Sequence, residues 1–108
     1  MGSEYSYRFT AKAEQDLEEI IHYISIELAN PEAAKQLGRK IFDKINNIRK
    51  FPDSGVPVDN EFLTDKSLRK LLVGNYIIYY QAHHPTQTIY IVRIIYGKRN
   101  LDEVFRTF

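Results

Sequence analysis

At 108 residues, 44% of them apolar and with a net charge of +1, the chain fits one domain over 1–108, because two separate cores would each bury too little apolar surface. This composition excludes a disordered chain, and no run approaches the roughly 18 apolar residues of a membrane span. The absence of Cys excludes a disulfide framework, and with no apolar secretory stretch at the start a reducing cytoplasm is the simplest address.

The small net charge conceals a split. Residues 1–65 carry −4, from eight Lys/Arg against twelve Asp/Glu, and residues 66–108 carry +5, from seven against two. One end is therefore suited to phosphates or carboxylates while the other stays solvated.

Met1, Gly2 and Ser3 read as a cloning remnant, and residues 1–4 are expected to be disordered or to belong to that remnant. A short strand is expected over Tyr5–Phe9, where Tyr5, Tyr7 and Phe9 alternate with Ser6 and Arg8. Thr10 is a natural N-cap for an amphipathic helix from Ala11 to about Ala29. Ala13, Leu17, Ile20, Ile21, Ile24 and Leu28 recur there at helical spacing, while Glu14, Glu18, Glu19 and His22 fall on a wet outer face.

Asn30-Pro31-Glu32 restarts a helix at once, since Asn caps, Pro is tolerated in the first turn, and a carboxylate suits the positive helix end. Its stripe is Ala34, Leu37, Ile41, Ile45 and Ile48, with Gly38 expected to admit a close neighbour, and Pro52 stops it near Phe51. So short a link implies an antiparallel helical hairpin.

Pro52–Asp65 reads as a loop, in which Gly and Pro outweigh the isolated apolar Phe62 and Leu63. Three strands follow, over Leu68–Val73, Asn75–Ala82 and Thr88–Tyr96. Gly74-Asn75 is the first turn and His83–Thr86 the second, which gives an antiparallel meander. A short C-terminal helix begins near Leu101. The expected class is α+β, in the order β-α-α-β-β-β with that last helix appended.

Period-two alternation separates Tyr76, Ile78, Tyr80, Tyr90, Val92 and Ile94 from Ile77, Tyr79, Gln81, Ile89, Ile91 and Arg93. A helical hairpin covers only one face. Gln81 and Arg93 mark the second set as the open face, and an open apolar face suits a partner.

Arg93 lies among isoleucines, where an unpaired charge is costly, so it either faces outward or meets a carboxylate. Lys98 and Arg99 follow the last strand as a cationic turn. Arg69 and Lys70 suit partner contact or protection of a sheet edge. Tyr76, Tyr80 and Tyr90 are assigned to the core, with Tyr79 and Tyr96 as contact candidates. His83-His84 lacks a third ligand for a metal site. Nucleophilic triads and phosphate-binding Gly loops are absent too, so no metal or cofactor is expected.

Four stretches then carry a resemblance: Ala13, Asp16, Leu17, Ile20, Tyr23 and Ile24 at A..DL..I..YI spacing, FPDSG at 51–55, LRKLLVGNYIIYY at 68–80, and IVRIIYGKRNLDEVF at 91–105. In this order, from Tyr7 to Phe105, they resemble the RelE/ParE superfamily of bacterial toxins. The resemblance implies the toxin of a type II toxin–antitoxin module, neutralised in a hetero-oligomer by an antitoxin that folds over the sheet and helices.

RelE-like members are metal-independent endoribonucleases that cut mRNA on the ribosome. That resemblance carries Arg99 over as a phosphate-binding candidate, but the position of the RelE-like tyrosine is Phe105 and that of an arginine is Ile77. Catalysis would then fall to Tyr96, Tyr79 or Lys98. ParE-like members inhibit DNA gyrase and need no hydrolytic site. Arg69, Gly74-Asn75-Tyr76 and Tyr96-Gly97-Lys98-Arg99, the last standing where ParE-like chains commonly show His-Gly-Ala-Arg, favour that branch. The expected contacts to target or antitoxin are Arg69, Lys70, Ile77, Tyr79, Ile91, Arg93, Lys98 and Arg99.

Overall fold

The computed structural model describes residues 4–63, 67–106 and 108. The expected remnant Met1–Ser3 lies outside them. Glu4, expected to be disordered, stands 3.6 Å from Arg49 and 3.9 Å from Lys50.

The elements run β1 (Ser6–Phe9), α1 (Ala11–His22), a π-helical turn (Tyr23–Glu27), α2 (Pro31–Lys50), β2 (Val56–Pro57), β3 (Arg69–Val73), β4 (Tyr76–His83), β5 (Thr88–Tyr96) and α3 (Leu101–Phe105), with a single 3-10 turn at His84–Thr86 between the last two strands. They form an α+β fold. One five-stranded sheet has the order β1-β5-β4-β3-β2. β1 lies parallel to β5, and the remaining pairs are antiparallel.

Capping follows the residue chemistry. Thr10 Oγ1 accepts the Ala13 amide at 3.1 Å to open α1, and Asn30 Oδ1 accepts the Ala33 amide at 3.1 Å to open α2 ahead of Pro31. α1 does not run regularly to Ala29. Its last five residues widen into the π turn, and Ala29 closes it with a left-handed φ of 48°. Gly38 does not serve close packing, because a Cβ there would meet nothing within 4 Å.

The loop after α2 is more ordered than its composition predicts. Val56–Pro57 pairs with β3, and Val58 and Leu63 are buried. Its first turn is pinned by two side chains from the sheet. Tyr80 Oη donates to the Pro52 carbonyl at 2.8 Å and accepts the Gly55 amide at 2.9 Å, while Arg69 Nη1 donates to the Gly55 carbonyl at 2.7 Å. A Cβ on Gly55 would lie 2.5 Å from Tyr80 Oη, so Gly55→Ala must push the phenol off both bonds. A loss of about 1–2 kcal/mol is expected in urea unfolding, and a neutral result would mean the turn moves freely.

Strand alternation breaks at one point, and this decides where the core sits. Tyr79 pairs with Arg93, but Tyr80 pairs with Ile91, leaving Val92 as an extra residue on β5. The bulge shifts the pleat by one position. Ile89 and Ile91 thereby join Ile78, Tyr80 and Ile94 on the face packed by Ala13, Ile41, Ile45 and Ile48 of the two helices.

The opposite face is not open. Leu68, Ile77, Tyr79 and Ile95 are buried there beneath Val58 and Leu63 of the loop and Val104 and Phe105 of α3. Thus Ile77, Tyr79 and Ile91, expected as contact residues, are core. A five-residue helix and a loop cover what the helical hairpin cannot reach.

Candidate functional site

The site is built around the end of β5. β1 stops at Phe9, opposite Ile91, and the start of α1 takes the place of a further strand. Thr10 donates through its amide to the Ile91 carbonyl at 3.0 Å and through Oγ1 to the Val92 carbonyl at 3.0 Å. Asp16 continues the seam. Its Oδ2 accepts the Ile94 amide at 3.0 Å and Arg93 Nε at 2.7 Å, and its Oδ1 accepts Arg93 Nη2 at 3.1 Å. Arg93 is only 7% exposed. A bidentate pair with this little water is geometrically specific, and it settles Arg93 as a paired charge rather than an outward one.

Beside this pair lies a cleft of about 350 Å³ lined by Lys12, Arg93, Arg99, Asn100, Glu103 and Val104. Asn100 Oδ1 caps α3 through the Glu103 amide at 3.3 Å, which fixes the start of that helix after the turn. Lys98, Arg99 and Lys12 are exposed. Lys12 sits in the first turn of α1, where the helix dipole is positive, and it lines the cleft together with Arg93 and Arg99, whereas Lys98 stands outside that lining.

A larger groove of about 770 Å³ opens on the other side of Arg99, which lines both spaces. Its floor includes Ile20, Ile24, Ile94 and Ile95, and its rim Tyr23, Leu28, Tyr76 and Tyr96. Tyr23 is 52% and Leu28 55% exposed, so this is the apolar surface that the sheet face was expected to offer. The π turn matters here, because it sets Tyr23 and Ile24 along the groove. Tyr76 and Tyr96 meet edge to face at 5.5 Å. Burial raises the Tyr76 pKa, and the neighbouring phenols of Tyr96 and Tyr23 add to the shift.

The aromatic residues inside the sheet faces are withdrawn from both spaces. Phe105 is buried against Tyr79, with ring centroids 5.4 Å apart. Tyr79 is 1% exposed, and burial pushes its pKa up to about 12. The Tyr80 pKa is also raised, chiefly by burial. None of these phenols can act as a base near neutrality.

The remaining expected contacts divide. Arg69 is half-buried and committed to the loop, with Nη1 on the carbonyls of Asp53 (3.1 Å) and Gly55 (2.7 Å). Lys70 is half-buried on β3, which β2 flanks, so neither residue lies on an open edge. His84 is a tie between segments: its Nδ1 stands 2.6 Å from Tyr5 Oη and its Nε2 3.3 Å from Asp53 Oδ1. The structure gathers Arg93, Tyr96 and Arg99 around the two spaces, and disperses Arg69, Lys70, Ile77, Tyr79 and Ile91 elsewhere.

Sequence reading overlooked Lys12 and the pairing role of Asp16. A signal existed for the second: Asp16 stands three residues after Ala13 and four before Ile20, on the apolar stripe, where a carboxylate demands a cation.

A family model described as the ParE toxin of the type II toxin–antitoxin system parDE matches residues 7–101. A comparison with curated proteins gives no match. Among solved structures, the chromosomal ParDE toxin–antitoxin system from P. aeruginosa is similar at 21% identity and a TM-score of 0.67, over 90% of this chain and 100% of that one. The toxin–antitoxin complex RelBE2 from Mycobacterium tuberculosis is similar at 20% identity and 0.61, over 86% and 98%. The isolated RelE toxin of E. coli is similar at 13% identity and 0.56, over 96% and 99%. At these identities the structural likeness establishes the shared fold.

Proposed function

Because the chain belongs to the family of ParE toxins of type II toxin–antitoxin systems, we propose that it arrests growth by binding DNA gyrase, and that a cognate antitoxin neutralises it. The observation that supports the choice of target is Phe105, a ring without a hydroxyl at the position where RelE-like members carry a tyrosine, buried against Tyr79. Cutting RNA at a 2′-hydroxyl needs a base for that hydroxyl and an acid for the leaving oxygen. Phe105 has no hydroxyl, and the hydroxyl of Tyr79 is held at a pKa of about 12. Exposed cations at Lys98 and Arg99 supply charge stabilisation but not both proton transfers. They suit contact with a protein target better than hydrolysis.

The antitoxin reading draws on the family and on the solved complexes named above. An apolar groove beside a cationic cleft fits a segment that is disordered alone and folds on binding.

Purified protein is expected to block gyrase supercoiling, with Lys98→Ala and Arg99→Ala weakening the block. The same protein should create no new mRNA 5′ ends in a translation extract. Full gyrase activity at a large excess of toxin, together with discrete new 5′ ends that vanish in Arg99→Ala, would establish the alternative of a ribosome-dependent endoribonuclease working through Tyr96, Lys98 and Arg99.

A further inference from the structure

We infer that the cleft between Lys12, Arg93 and Arg99 seats a single carboxylate of the antitoxin, carried on a segment whose apolar side chains fill the adjoining groove; this rests on the antitoxin reading above. The first argument is electrostatic. Lys12 occupies the first turn of α1, where the helix dipole disfavours a cation. It lines the same cleft as Arg99, and since Arg93 there is already paired with Asp16, Lys12 and Arg99 are the cations that bring net positive charge to the wall. Asp16 engages only Nε and Nη2 of Arg93, which leaves Nη1 as the donor without a role in that pair. Arg93 is already matched by Asp16, and Glu103 also lines the cleft, so Lys12 and Arg99 face one carboxylate and leave room for a second.

The second argument is continuity. Arg99 lines both the cleft and the groove, so a chain that lays apolar side chains between Tyr23, Leu28 and Tyr96 carries its next residues to the cationic wall. A groove edged by exposed aromatic and aliphatic groups anchors apolar side chains, and the terminal charge fixes their register.

The third argument separates a peptide from a nucleic acid. Asp16 and Glu19 line the groove and Glu103 the cleft. A phosphodiester chain brings a negative charge at every nucleotide and would meet these carboxylates along its path. An isolated carboxylate flanked by apolar side chains brings one negative charge to the cleft, where Lys12 and Arg99 outnumber Glu103.

The test measures affinity for the antitoxin encoded beside the toxin gene, using wild type, Lys12→Glu, Arg99→Glu and, as a remote control, Lys35→Glu on the exposed side of α2. The first two substitutions are expected to weaken binding about tenfold each, the loss shrinking as salt is raised, while the control stays within about twofold. Tight binding by the wild type that neither Lys12→Glu nor Arg99→Glu disturbs overturns the inference and leaves the antitoxin reading intact. No binding by the wild type overturns both. A single-stranded RNA probe that binds the wild type and is lost in both variants, while antitoxin binding persists, also overturns the inference and makes the cleft a phosphate site.

Discussion

Asp16→Ala is expected to cost about 3–5 kcal/mol, because it strands a buried guanidinium and removes the acceptor of the Ile94 amide together. For a domain of this size that corresponds to a fall in melting temperature on the order of 20 °C. The loss comes mainly from an uncompensated charge, and the proper control is therefore the paired replacement. Asp16→Leu with Arg93→Leu removes both charges, and its stability is expected to exceed that of Asp16→Ala clearly. Chemical denaturation of the single and double variants gives the coupling directly. A cost below about 1 kcal/mol for Asp16→Ala would mean that the pair behaves as a solvated surface ion pair, contrary to its burial. The same substitution should also weaken antitoxin binding, since Asp16 holds Arg93 at the wall of the cleft.

The second large effect is alkaline. Burial pushes the Tyr79 pKa up to about 12, about two units above the unfolded value, so the folded state holds its proton where the unfolded state has released it. Stability linked to this group is fully present below pH 10 and falls as pH rises from about 10 to about 12. The loss amounts to about 2–3 kcal/mol at completion. Tyr76 and Tyr80 shift in the same direction and add to the slope. Tyr79→Phe removes the titrating group while keeping the ring against Phe105 and Phe108, 5.4 Å away in both cases. The variant should match wild type near pH 8 and exceed it by pH 11.5. Equal alkaline losses in the two proteins would show that the Tyr79 hydroxyl reaches water.

Much of the local structure was legible because it rests on residues close in sequence. Thr10 and Asn30 fix the helix starts through backbone amides three positions on, and Pro31 does so through its fixed φ. Pro52 fixes where α2 stops, and Gly74, with a φ of +57°, fixes the turn between β3 and β4. The cationic turn at Lys98 and Arg99 was equally visible, since its charge and its place after a strand are both local facts.

What the chain alone determined is thus the elements other than β2 and the π turn, their order, their caps and the basic end. The covering of the sheet was decided by tertiary structure. One extra residue at Val92 exchanges the faces of Ile89 and Ile91 relative to Ile94, and no local propensity announces it, because Ile89 and Ile91 on one alternation and Val92 and Ile94 on the other are all apolar and β-branched. Likewise, α3 and Leu63 close the second face by packing on Ile77 and Tyr79, a match of apolar surfaces distant in sequence. With that face closed, the exposed apolar surface moves to the groove between the π turn and the end of β5. Arg93 then changes from a candidate contact on an open sheet to one half of a buried pair, set by an aspartate 77 residues earlier in the chain.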